Sequence, residues 1–423
     1  MNLNEKFKMK GLWHLPDSKG KDIGGVLKFN PKLDSKLELI GFLKEPKDTF
    51  LKPENGSYFE IIHGVLEDGE MVTLIDCFRR NYKANLRMKI STSTYRIRLI
   101  LRGIHLENRN LPIFTKASFE INVFPQWMKR NIINQTLHYI NDEIDGFEFG
   151  YFKSKDQDTY TFNLGNETEL LFKSFARFKE INFSGFELGS NFSIVVNSRN
   201  KNSFSFFLEK SNRFISFLRL CFSDCVCFTN FHLQLESGIK EPYSNSWNKI
   251  IFKQQYIKKK IDRSLYMHIS YEDLKGGINE IVVNWMKLER KYDPIIETLI
   301  ELNERGKDFR VNDFLYITQC VDGFHRMEFN PSRTQFIHRI KKLISQFIYV
   351  RDLNFTEEDI QNIVDNRDYY THLHLDKEVK LFSMPELYRR TRKLYYLVLF
   401  SLLAKVGFKD EMILKYSEDP YLY

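Results

Sequence analysis

From Val26 to Phe252, apolar and polar residues alternate in short runs. Val26–Phe29, Lys36–Gly41, Tyr58–Val65 and Met71–Cys77 repeat with period two, as half-buried strands do. Glu67-Asp-Gly-Glu70 joins the last two runs, and Asp-Gly between alternating segments predicts a hairpin. Phe119–Phe124, Phe147–Phe152, Thr159–Leu164, Phe192–Val196, Phe228–Leu235 and Lys249–Phe252 read as further strands. One helical stretch interrupts them at Glu209–Phe222, where Phe214, Phe217, Leu218 and Cys221 recur at helical spacing. Many short strands with polar turns predict an antiparallel sandwich or a barrel-like region.

Beyond about residue 270 the period lengthens to that of a helix. Ile278–Glu289, Ile295–Asn303, Asn312–Met327, Arg333–Phe347, Glu357–Asn366 and Pro385–Val406 are the expected helices. Asn312-Asp313, Ser332-Arg-Thr334 and Thr356 before Glu357-Glu358 offer N-caps. Pro385 suits the first turn of the last long helix, and Gly407 suits the position just past its end. The expected class is therefore α+β and multidomain. A β-rich, antiparallel sandwich-like region spans residues 1–255, and an all-α helical bundle occupies 256–423, with its core at about 290–410. Lys258-Lys-Lys260 marks a solvated connection between them.

Composition changes this picture little. The chain has 423 residues, 43% hydrophobic and 15% aromatic, which is ample for packed cores and excludes global disorder. A net charge of +8 is a mild basic excess that fits a phosphate-bearing partner without requiring one. The five cysteines form no disulfide framework, and a reducing, cytoplasmic setting is expected. Cys221, Cys225 and Cys227 lack the paired spacing of a zinc site and are read as buried thiols. The N-terminus has no apolar signal core. Leu394–Val406, broken by Ser401 and Lys405, is too short to cross a bilayer, so no membrane partner is expected.

Candidate chemistry lies in Arg367-Asp-Tyr-Tyr-Thr-His372. Histidine serves as acid or base near neutral pH. Arginine presents a fixed fork of donors suited to phosphate oxygens. These two groups suffice for metal-free attack of a ribose 2′-hydroxyl on its own phosphate, a reaction confined to RNA. On a helix Asp368 lies four residues before His372, on its face, where it can orient the imidazole or raise its pKa. Arg367 and His372 are five apart, roughly 140° around an ideal helix. They converge if the helix end unwinds or if a second copy of the motif faces the first, which predicts a site shared across a homodimer.

The surrounding residues resemble a known family. Arg367-Asp-Tyr-Tyr-Thr-His372, the preceding helix Phe314–Arg326 with Asp322 and His325-Arg326, and Leu387–Gly407 resemble the HEPN domain of ApeA-like anti-phage proteins. The family usually has Glu where this chain has Asp322, which keeps the charge. Lys10-Gly-Leu-Trp-His-Leu-Pro16, Gly25-Val-Leu, Leu37–Gly41 and Gly64 to Phe78 resemble the start of the ApeA N-terminal domain. This resemblance implies a toxin of abortive infection: a metal-independent endoribonuclease with no cofactor, acting as a dimer or higher assembly such as a tetramer. Host RNA, with tRNA as first choice, is the implied substrate, and 2′,3′-cyclic phosphate and 5′-hydroxyl ends are the implied products. The N-terminal region would sense a phage-derived trigger or restrain the nuclease.

Under that reading Arg367, His372 and Asp368 are the catalytic candidates. Asp322, His325 and Arg326 are supporting residues, with Asp322 offered as a partner for Arg367 or His372. Tyr369 and Tyr370 would stack on bases or pack in the core or the dimer. Arg389, Arg390, Arg392 and Lys393 form a basic helix face suited to a phosphate backbone or simply to solvent. Other readings compete. His372-Leu-His-Leu-Asp376 looks like the start of a His-x-His-x-Asp-His metal motif, but Lys377 occupies the sixth position and little chain follows for the other ligands, so no metal is expected. His374 is then a surface or supporting residue. The helical domain also fits a non-catalytic dimerisation or nucleotide-binding module serving a ligand-sensing β domain. A carbohydrate- or peptide-binding sandwich with a helical tail is a third reading. Trp13 and Pro16 are read as structural anchors.

Overall fold

The computed structural model describes residues 2–18, 20–44, 58–85, 90–129, 134–140, 143–150, 159–181, 185–222, 226–236, 247–254, 267–305, 308–329, 334–372 and 380–418. Lys258–Lys260, Cys225, Ser332, Arg333, His374 and Asp376 lie outside these residues. The chain divides into two compact units. The first comprises residues 1–126, 130–212 and 226–260, and the second 127–129, 213–225 and 261–423.

The first unit is antiparallel β structure. Its strands are β1 (Phe7–His14), β2 (Ile23–Phe29), β3 (Ser35–Ile40), β4 (Tyr58–Leu66), β5 (Met71–Asn85), β6 (Ile90–Arg102) and β7 (Phe114–Ile121). After helix α1 (Phe124–Met128) come β8 (Asn134–Ile140), β9 (Glu143–Gly150), β10 (Thr159–Gly165), β11 (Thr168–Ile181) and β12 (Gly185–Asn202). Helix α2 (Phe204–Cys221) begins in the first unit and ends in the second, and β13 (Phe228–Leu235) and β14 (Trp247–Phe252) follow.

Twelve strands form one sheet in the order β10-β11-β12-β7-β13-β14-β6-β3-β2-β1-β4-β5. Strand β6 also pairs with β5, so six strands close into a ring, β6-β3-β2-β1-β4-β5. Closure gives these strands neighbours on both sides and hides the edges a sandwich would leave. The hairpin expected at Glu67–Glu70 links β4 to β5, with Gly69 at φ +81° in the turn. Trp13 is fully buried against Gly64, where an added Cβ would lie 2.3 Å from the indole, so this packing requires glycine. The strand expected at Phe119–Phe124 instead ends at Ile121, and Phe124 opens α1. Strands β1, β6, β8 and β11 go beyond the expected set. In β6 the outward positions carry Arg96, Arg98 and Arg102, which pair with Asp34, Asp76 and Glu70, so a strongly charged outer face masks a regular strand.

The second unit contains α3 (Tyr271–Leu274), α4 (Ile278–Lys287), α5 (Asp293–Arg305), α6 (Val311–Phe329), α7 (Phe336–Ile344), α8 (Glu357–His372), α9 (Met384–Lys405) and α10 (Asp410–Ser417). Helix α9 is buried all round from Leu394 to Leu403, the pattern of a central helix, and α6 packs along it. Ser383 and Glu386 form a reciprocal capping box at its start, and Gly407 follows its end at φ +108°. Thr356 and Asp359 exchange the same kind of bonds at the start of α8. Asp313 is not an N-cap: α6 starts earlier, and the Asp313 carboxylate reaches back to the Arg310 amide and to Arg305. Cys77, Cys221, Cys227 and Cys320 are buried thiols outside any disulfide, and burial raises the thiol pKa of Cys77, Cys221 and Cys320, keeping them protonated and inert.

Candidate active site

Helix α8 carries the Arg-x4-His segment and stays helical through His372. The helical period therefore holds Arg367 and His372 about 140° apart on one chain, and unwinding before His372 does not bring them together. His372 is exposed, in the last turn of the helix. Arg367 is held in two ways. Its guanidinium carbon sits 4.4 Å above the Phe336 ring of α7, and Nη1 donates to Asp368 Oδ1 at 3.2 Å. The stack fixes the plane of the fork and leaves the side chain 28% exposed, open to an anion. Asp368 thus contacts Arg367 while sharing the helical face of His372.

The supporting residues gather on α6 and α7. Asp322 receives Arg326 Nε at 2.9 Å on one oxygen and Arg339 on the other. Those two guanidinium groups take both oxygens of the carboxylate offered above as a partner for Arg367 or His372. Arg339 is buried and also donates to the Thr334 carbonyl at 3.0 Å. His325 is buried beside Phe329, and burial, reinforced by Arg339, lowers its pKa and favours the neutral ring. Helix α7 thereby supports both neighbours: Phe336 holds Arg367 of α8, and Arg339 holds Asp322 of α6. Replacing Asp322 with Ala leaves the Arg339 charge buried and uncompensated. A loss of about 3 kcal/mol in stability, read from chemical denaturation, is expected.

Two of these residues escaped the sequence reading. Arg339 lies at the spacing of Phe336, Ile340 and Leu343, all buried. A lone cation on an apolar stripe calls for a buried acid, and that signal was available. Asn366 left no such signal. It is fully buried next to Arg367, and its amide nitrogen donates to the carbonyls of Asn362 (2.8 Å) and Lys380 (3.1 Å). Its carbonyl oxygen accepts from the Phe382 amide at 2.9 Å. One side chain therefore ties α8 to the segment that leads into α9. Asn366→Ala removes three buried hydrogen bonds, and a loss of about 3 kcal/mol is expected in the same denaturation measurement.

The basic face of α9 is largely committed to its own domain. Arg390 pairs with Asp359, Arg392 contacts the Tyr396 hydroxyl and lies 5.0 Å from the Tyr395 ring centre, and Lys393 donates to the Asn354 carbonyl at 3.1 Å. Burial lowers the pKa of Lys393. Arg389 is the exposed member of the four. Tyr369 and Tyr370 are half-buried, 5.4 Å apart edge to face, and Tyr370 also packs on Phe314 of α6.

A helical bundle with an Arg-x4-His segment ending one of its helices is the arrangement of a HEPN domain, and the Apea-like HEPN family matches residues 315–412. ApeA N-terminal domain 1 matches residues 8–285, well over half of the chain, and the chain belongs to the ApeA family. No curated protein and no solved structure matches it. The first match extends past the strands through α3 and most of α4. ApeA-like HEPN domains define an anti-phage nuclease family of the ribonuclease type, and HEPN domains commonly dimerise and act on RNA. Among the described residues no helix is long and apolar enough to cross a membrane.

Proposed function

We propose that this protein is a metal-independent HEPN endoribonuclease of anti-phage defence. It cuts host RNA, with tRNA the foremost substrate, and so aborts infection from within the cytoplasm. The observation that carries this reading is the pair Arg367 and His372 within the HEPN-matched segment, both solvent-accessible, with the arginine held flat on Phe336.

His372 takes the proton from the ribose 2′-hydroxyl as its oxygen attacks phosphorus, or protonates the departing 5′-oxygen. The Arg367 fork holds the two non-bridging oxygens, where charge accumulates in the transition state. Asp368 orients Arg367 and adds a negative charge near the imidazole. The angular separation on α8 favours a site built from Arg367 of one protomer and His372 of its partner. Arg389 meets the phosphate backbone, and Tyr369 offers a ring edge to bases. The N-terminal region reads a phage-derived trigger and restrains the nuclease.

A second reading, a non-catalytic dimerisation or nucleotide-binding module, draws on the same accessible Arg367. The chemistry of the products separates the two. Total RNA incubated with the protein in EDTA is expected to yield fragments with 2′,3′-cyclic phosphate and 5′-hydroxyl ends. Intact RNA, or fragments with 3′-hydroxyl and 5′-phosphate ends, would overturn the proposal.

A further inference from the structure

Three histidines distant in sequence meet in the β unit. His14 ends β1, His63 lies opposite it on β4, and His105 sits in the loop after β6. One ring nitrogen from each lies within 4.8 Å of the other two. The His63 and His105 rings stack with centres 4.4 Å apart, and His14 stands edge-on to both, at 5.6 and 5.9 Å. His14 and His63 are buried.

The hydrogen bonds set two of the tautomers. His63 Nε2 is 2.7 Å from the Leu106 carbonyl oxygen, and His105 Nε2 is 2.9 Å from that of Gly64. A carbonyl accepts and never donates, so both Nε2 atoms carry the proton. The lone pair of each ring is then on Nδ1. His14 Nδ1 lies 3.0 Å from Asp22 Oδ1, at ion-pair distance but without forming a hydrogen bond, so the tautomer of this ring is not fixed in the same way. His63 and His105 therefore each have a carbonyl acceptor on Nε2 and a lone pair on Nδ1, and His14 has the Asp22 carboxylate beside it. Metal-ligating histidines are held in this way, with the second N–H on a main-chain carbonyl or a carboxylate.

The loop that carries His105 is itself fixed. Thr73 donates to the Ile104 carbonyl at 2.7 Å and accepts from the Leu106 amide at 3.0 Å, and Gly103 turns the chain at φ +92°. Both bonds to Thr73 hold the loop on β5, and the bond to the Gly64 carbonyl holds the His105 ring on β4, before any ion arrives. Three neutral imidazoles suit a divalent transition metal such as zinc, and the His63 and His105 rings, stacked 5° from parallel, turn out of their stack to bring both Nδ1 lone pairs to one ion. Tetrahedral ligation brings the nitrogens to about 3.3 Å from one another.

We propose that His14, His63 and His105 bind one zinc ion, with Asp22 as the outer carboxylate and the fourth position open to water or a ligand. The ion clips the loop after β6 to the β1–β4 pair. Its three histidines belong to the first unit, and the residues assigned to RNA cleavage belong to the second.

Tag-free full-length protein, stripped of metal, is titrated with Zn²⁺ in competition with a chromogenic chelator. Wild type is expected to bind one equivalent and to melt at a higher temperature with zinc than without. His105→Gln, half-exposed and least disruptive to the fold, is expected to bind at least 100-fold more weakly and to lose the zinc-dependent stabilisation. Asp22→Asn is expected to bind about 10-fold to 100-fold more weakly. His372→Ala is expected to bind as wild type does. Circular dichroism confirms that each variant is folded. No stoichiometric binding by wild type, or equal binding by wild type and a folded His105→Gln, would overturn the proposal.

Discussion

His372→Ala is expected to lower RNA cleavage by about 10²–10⁴-fold, the usual contribution of a positioned acid or base. The side chain is exposed at the end of α8, so its loss leaves no cavity and the fold is expected to be retained. Arg367→Lys is the sharper companion. Lysine keeps the charge but loses both the fork and the flat stack on Phe336. Cleavage is expected to fall by about 10²-fold or more, as when a transition-state donor is removed. Cleavage of total RNA by each purified variant, alongside its sedimentation behaviour, checks this pair. Near-normal cleavage by His372→Ala would remove the nuclease assignment, and near-normal cleavage by Arg367→Lys would remove bidentate binding of the transition state.

Mixed dimers decide how the site is assembled. With α8 helical through His372, the arginine and histidine of one chain diverge, and in the proposed two-fold dimer each site would take one residue from each protomer. Arg367→Ala and His372→Ala are each expected to be inactive alone. When they are co-expressed, the heterodimer regains one site with both groups intact. Random pairing of the two chains then restores about a quarter of wild-type cleavage. If Arg367 and His372 of the same chain act together, every site in the mixture lacks one group and activity stays at the level of the single variants.

Much of the architecture was legible in the sequence because local rules set it. Period-two runs gave strands at Ser35–Ile40 and Phe228–Leu235, and Asp68-Gly69 gave the β4–β5 hairpin. Pro385 and Gly407 bounded α9 through backbone chemistry confined to a few residues. What stayed hidden is non-local. Ring closure depends on β6 pairing with β5 on one side and with β3 and β14 on the other, and no residue in β6 encodes three partners. The basic run Arg389–Lys393 suited a phosphate backbone or solvent alike, because sequence cannot show that Asp359, Tyr396 and Asn354 engage three of its members.

The sequence by itself determined the β-then-α order, the cap of α8 at Thr356, the bounds of α9 at Pro385 and Gly407, and the residue types and spacing of Arg367, Asp368 and His372. Those are properties of neighbours in the chain, where periodicity and backbone propensity act directly. Tertiary structure alone decided that Asp322 belongs to Arg326 and Arg339, and that Phe336 and Asp368 hold Arg367. It also decided that Asn366 locks α8 to the segment leading into α9, and that ring nitrogens of His14, His63 and His105 lie within 4.8 Å of one another. The physical reason is the same in each case. Buried charges and polar groups must be satisfied by whatever partner the fold delivers, however far away in sequence that partner lies.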